Sequence, residues 1–192
     1  THGAVVKAIG LLGFGIDNIE WVDCDDQGRI IPGQMPALDN SCIILLQAGN
    51  VNSGAFDPFV EICDNANAAD AWVHIDGAFG LWAAGTKRLK HLTPGMEKAH
   101  SWSVDGHKTL NTPYDSGILL CRDKEALVSA LQATGAYLTS CYSENRDGML
   151  YTPEMSRRAR AIELWAALKY LGRDGVDELV VGMHQRAQQF AD

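Results

Sequence analysis

Residues 42–46 read CIILL, five apolar side chains in a row with no polar alternation. A strand with one wet face alternates, whereas an unbroken apolar run is what a strand covered on both faces needs. That double burial belongs to parallel sheets flanked by helices. Further strand-like runs follow at 71–75 (AWVHI), 100–104 (HSWSV) and 117–121 (GILLC), and residues 19–23 (IEWVD) read as another short strand. Helical signals fall between and around them. Residues 4–12 carry apolar residues at helical spacing and run into Gly13 and Gly15, a C-terminal stop. Asp57-Pro58 opens a helix, with Asp57 as N-cap and Pro58 at the first helical position, and Asp123 caps another through Leu131. Thr152-Pro153 is expected to cap a long helix through Leu171, with Ala161, Leu164, Trp165 and Leu168 on one stripe. Gly172 stops it, and a last helix runs from Val176 to Phe190. Strands alternating with helices predict an α/β fold with a mostly parallel sheet.

Composition narrows the function. The 192 residues include 24 Asp or Glu against 16 Lys or Arg, a net charge of −8 that repels phosphate backbones and anionic lipid. Neither a nucleic acid nor a membrane is expected as a partner. Cys24, Cys42, Cys63, Cys121 and Cys141 lack CxxC or any other zinc-ligand spacing, so they read as reduced thiols in a reducing, cytoplasmic compartment. The six histidines form no HExxH or HxH pattern, and no metal site is expected. The longest apolar stretch, 4–16, is broken by Lys7 and glycines and is too short to span a bilayer. No signal-peptide pattern is visible, and a start at Thr1 without Met reads as a piece of a longer protein. Trp72, Trp82, Trp102 and Trp165 are expected in the core, and Arg157, Arg158 and Arg160 in structural ion pairs.

Ligands of open parallel sheets bind beyond the carboxyl ends of the strands. Four segments fall there: 49–54 (GNVNSG), 76–80 (DGAFG), 105–108 (DGHK) and 23–26 (DCDD). Lys108, just past a buried strand, can be read as an amine held out of water, its basicity lowered so that it attacks a carbonyl. The alternative is a solvated loop lysine. Period-2 geometry puts His74, Asp76 and Ala78 on one side. A buried Asp76 carboxylate needs a cationic partner, which a protonated heterocyclic nitrogen would supply. A helix cap or an ion pair with an arginine would satisfy it as well.

Residues 74–80 (HIDGAFG), with His107-Lys108 placed so that Lys108 follows Asp76 by 32 residues, resemble the pyridoxal-phosphate (PLP)-dependent group II amino-acid decarboxylases. These include the aromatic-amino-acid and glutamate decarboxylases. His2 with Lys7-Ala8 and the 10–15 region, 51–58 (VNSGAFDP), 102–108, 111–116 (NTPYDS) and 153–160 (PEMSRRAR) match in order over nearly the whole chain. The resemblance implies a fold-type-I PLP-dependent transferase-like large domain, a mostly parallel sheet between helices. Residues 1–152 would be its central part, and 153–192 a helical segment leading toward the small C-terminal domain. It further implies a homodimer that decarboxylates an L-amino acid to the amine and carbon dioxide through an aldimine of Lys108. Asp76 would pair with the pyridine nitrogen and Ala78 would pack against one ring face. His2 would stack on the other face and contact the substrate. Asp105 and His107 would approach the phosphate or the cofactor edge, and Asn52 would face the aldimine and the substrate carboxylate. Tyr142 or Tyr151 would protonate the carbon that loses carbon dioxide.

The sequence departs from the aromatic branch at 49–53, where that branch carries a Thr-rich turn, and at Asp105, where it carries Asn. Both departures point to a less specific, bacterial-type branch. Family subunits are more than twice as long, so the phosphate cradle and most of the small domain are expected outside this sequence. Aldol cleavage, transamination and a non-catalytic scaffold on the same fold remain as alternatives.

Overall fold

The computed structural model describes residues 1–132 and 147–191. Four strands form one sheet in the order β1 (Ile43–Gln47), β2 (Trp72–Asp76), β3 (Ser101–Asp105), β4 (Gly117–Cys121). The first three are parallel, with Leu45 beside His74, Gln47 beside Asp76, and Asp76 beside Ser103. β4 turns back antiparallel, bringing Gly117 opposite Asp105. The carboxyl ends of β1, β2 and β3 therefore share one edge of the sheet, and the loop between β3 and β4 starts from it.

Only one face of the sheet is fully buried, with Ile44, Leu46, Val73 and Ile75 pointing into the core. Ile43, Leu119 and Leu120 at other positions stay exposed, so the double burial expected of the apolar runs is not what these residues show. Helix α2 (Phe59–Ala68) lays Phe59, Ile62, Cys63 and Ala66 against Ile44, Leu46, Val73 and Ile75. Burial pushes the Cys63 thiol up to about 11, leaving it protonated and unreactive. A second cluster joins Ala83, Leu89 and Leu110 to Val176, Val180 and Val181 of the C-terminal helix. Helices α1 (Gly3–Leu11) and α3 (Lys124–Leu131) are peripheral, with no buried residue. Asp123 caps α3 as expected, accepting the Ala126 N–H at 2.9 Å. α4 (Ala161–Ala191) is interrupted at Gly172, whose φ of 61° and ψ of −172° are not helical, so this glycine does break the helix.

Four further expectations need correction. Residues 19–23 form no strand; extended pairing there is limited to an isolated bridge between Cys24 and Ile30. Asp57 does not cap α2, which is preceded by Pro58 with no side-chain cap. Its carboxylate, 6% exposed, accepts instead from Gln47 N at 2.6 Å and Ile30 N at 2.9 Å. It thus ties β1 to the segment at residue 30; burial pushes its carboxyl above the usual range, against the pull of these two donors. The helix after Thr152 begins only at Ala161. Thr152 spends its hydroxyl on the Glu154 carbonyl, 2.8 Å away, rather than accepting an N–H. The intervening arginines pair locally: Arg157 with Glu154 (3.3 Å), Arg158 with Glu163 (2.8 Å) and Arg160 with Asp115. Finally, Trp165 is 65% exposed rather than core, whereas Trp102 packs on the first cluster and Trp82 on the second.

Candidate active site

The strand ends converge because the backbone around them is tied together. Gly77 N donates to Ser103 O (2.9 Å), Asp105 N to Ala78 O (3.2 Å), and Ala48 N to Asp76 O (2.8 Å). Gly80 N donates to Ala48 O at 3.1 Å, so close that a Cβ on Gly80 would sit 2.3 Å from that oxygen. No side chain fits there. Gly49 faces the same contact with φ of +80°, a conformation that glycine adopts without strain.

Asp76 ends β2, half-buried. One carboxylate oxygen, Oδ1, accepts the Ala78 N–H at 3.1 Å; among the described residues the other oxygen has no hydrogen-bond partner and no cation pairs with Asp76. No arginine among the described residues pairs with Asp76. On the neighbouring strand end, Lys108 is 27% exposed. Its Nζ lies 2.9 Å from Asp105 Oδ2 and 4.5 Å from the centre of the Phe79 ring. Lys108 is thus an amine fixed between a carboxylate and an aromatic face, not a freely solvated loop lysine.

His107 is held as firmly. Its Nδ1 accepts Ser116 N–H at 3.0 Å, its Nε2 lies 3.6 Å from Asp105 Oδ2, and its ring packs on Tyr114 with centroids 4.0 Å apart. Gly106 makes this possible: a Cβ there would meet Ser116 Oγ at 2.7 Å. Beneath Asp76, His74 contacts Ser101 Oγ through Nδ1 (2.8 Å) and Ser103 Oγ through Nε2 (3.3 Å). Burial lowers its basicity, against the pull of the Asp76 charge.

The structure thus brings Asp105, His107 and Lys108 into direct contact and sets Asp76 and Ala78 on the adjoining strand end. Asn52 sits on the exposed turn after β1, where its backbone N–H donates to Asn50 Oδ1 (2.9 Å). His2 is not joined to these residues by any bond; its Nδ1 caps α1 by accepting Ala4 N–H at 3.2 Å. Tyr142 lies outside the described residues, while Tyr151 ends a short 3₁₀ turn, Gly148–Tyr151. Phe79, Tyr114, Ser101 and Ser103 were not singled out by sequence. Phe79 could have been, since it directly follows Ala78 in the DGAFG segment; Tyr114 is placed only by the loop that packs it on His107.

Residues 16–192 match the pyridoxal-dependent decarboxylase conserved domain. The chain is 30% identical over 209 aligned residues to L-2,4-diaminobutyrate decarboxylase of Rhizobium meliloti (strain 1021), covering 100% of this chain and 41% of that protein. It is 29% identical to aromatic-L-amino-acid decarboxylase of Bacillus atrophaeus, covering 90% of this chain and 38% of the relative. Among solved structures it superposes on Oryza sativa TDC with PLP and tryptamine with a TM-score of 0.81 and 26% identity, over 93% of this chain and 39% of the other. Mouse CSAD gives a TM-score of 0.80 at 25% identity, over 93% and 39%. The chain thus spans about two-fifths of the length of these relatives. With its mixed four-stranded sheet and helices and its matched domain over residues 16–192, the chain belongs to the pyridoxal-dependent decarboxylase family.

Proposed function

We propose that this chain is the central part of the PLP-binding large domain of an enzyme that decarboxylates an L-amino acid to its amine and carbon dioxide. The observation that carries the reading is the pairing of two strand ends. One presents a fixed lysine amine; the other presents a carboxylate that, among the described residues, has an oxygen to spare and no cation of its own. Those residues fit a flat heterocyclic aldehyde, which needs an amine for its carbonyl and an anion for its ring nitrogen. Ala78, beside Asp76, leaves room for a ring to approach.

Bound there, PLP supplies an electrophilic carbonyl and an electron-accepting ring. The protein side of the chemistry follows from charge and position. Lys108 Nζ is the nucleophile, and Asp105 Oδ2, 2.9 Å away, aims it. The free oxygen of Asp76 holds a proton on the ring nitrogen, which keeps the ring cationic. Asp105, His107, Ala78 and Asn52 complete the cofactor set, and His2 covers the ring and contacts the substrate. Tyr142 or Tyr151 returns a proton to the substrate carbon. Residues 1–152 belong to the large domain and 153–192 lead toward the small one. The enzyme is proposed as a cytoplasmic homodimer with no nucleic-acid or membrane partner. Among the described residues no helix is long and apolar enough to cross a membrane.

Relatives are named for 2,4-diaminobutyrate and for aromatic amino acids, so these define the first substrate panel. The full-length protein, supplied with PLP and each L-amino acid, is expected to release amine and carbon dioxide in equal amounts. A keto acid would indicate transamination, and an aldehyde from side-chain loss aldol cleavage. Absence of turnover across the panel would favour a scaffold role.

A further inference from the structure

Trp72, His74 and Asp76 alternate along β2 and share one face, and the register sets Ser101 beside His74 and Ser103 beside Asp76. On that face the polar atoms form a chain. Ser101 Oγ lies 3.0 Å from Trp72 Nε1 and 2.8 Å from His74 Nδ1, and His74 Nε2 lies 3.3 Å from Ser103 Oγ. An indole N–H only donates, so Ser101 Oγ accepts from Trp72. Ser101 is buried, and the acceptor within reach of its own hydroxyl hydrogen among the described residues is His74 Nδ1. Were Nδ1 protonated, that hydrogen would be stranded in the interior, a penalty the native arrangement avoids. The His74 proton therefore sits on Nε2, directed at Ser103, and the ring is uncharged. Burial acts in the same direction.

This matters because of what stands next along the strand. An imidazolium two residues from Asp76, on the same face, would compete for a carboxylate that has no cation partner among the described residues. We infer that His74, fixed as its neutral Nε2–H tautomer by Trp72 and Ser101, is a positioning residue that reserves Asp76 for the cationic ring nitrogen of the cofactor. The inference rests on the function proposed above and adds a specific requirement to it.

Two readouts test it on the full-length protein. Long-range ¹H–¹⁵N correlation of labelled histidine, recorded without PLP at neutral pH, is expected to show His74 Nδ1 unprotonated and Nε2 protonated. PLP affinity, followed by absorbance, is expected to stay within about threefold in His74→Gln, whose amide can still accept from Ser101 and donate to Ser103. It is expected to fall by about tenfold or more in His74→Lys, which sets a permanent cation beside Asp76. A charged or Nδ1-protonated His74 in the wild type overturns the inference, whether or not His74→Lys folds. So does a folded His74→Lys that binds PLP as tightly as the wild type. PLP binding that fails in the wild type itself overturns the underlying function instead.

Discussion

At Asp76 a single side chain is asked to do two things: brace the strand end by accepting the Ala78 N–H, and keep its second oxygen open. The first task is structural and survives in many contexts; the second is the chemical role proposed for it. Asp76→Ala is therefore expected to leave Lys108 able to be trapped on PLP while turnover falls by about 10²–10³-fold, the usual loss when one electrostatic stabiliser is removed. Normal kcat in that variant would contradict the role. Gly80 is the opposite case, chosen for what it lacks. Gly80→Ala drives a methyl into the Ala48 carbonyl and is expected to cost about 1–3 kcal/mol or more, seen as a lower urea midpoint. His74 provides a pH signature. Its basicity is lowered in the folded chain, so the unfolded chain binds a proton more readily. The stability this group contributes is complete above the ordinary imidazole value of about 6.5 and is lost as pH falls through the depressed folded value. His74→Gln should flatten that part of a stability-against-pH curve, while His100, shifted down mainly by burial, keeps its own share.

The elements were legible where one local rule decides them. Residues 42–46 announced β1 because an unbroken apolar run has few other uses, and HIDGAFG and DGHK were read correctly as strand ends. Asp123 was legible because an N-cap needs only its own helix; Asp123→Ala is expected to lower stability by about 1 kcal/mol in denaturant titrations. Failures came where a distant partner outbid the local rule. Asp57 has the type and place of a cap, yet two backbone donors from elsewhere claim its carboxylate. The segment after Thr152 has helical composition, but its arginines are spent on Glu154, Glu163 and Asp115 before a helix begins. Within the candidate site, Lys108 and Asp76 were singled out by motif and spacing, and the structure sets them at adjoining strand ends. The Asp105–Lys108 ion pair, the Phe79 ring under the amine and the His74 chain depend on strand register, which a single sequence does not encode locally.

For the whole molecule, the described residues bury one core between sheet and α2 and a second around the C-terminal helix, and they leave large apolar side chains such as Leu11, Trp21, Leu119 and Trp165 in solvent. The chain spans about two-fifths of its curated relatives, so the decarboxylase activity proposed for it is a property to be measured on the full-length protein. The central claim is that Lys108 is the cofactor's covalent partner. The most direct measurement is borohydride reduction of that protein after incubation with PLP, followed by peptide mass mapping. The account predicts a phosphopyridoxyl group on the peptide carrying Lys108, and none in Lys108→Ala. An adduct spread over surface lysines, or one that persists in Lys108→Ala, would contradict it.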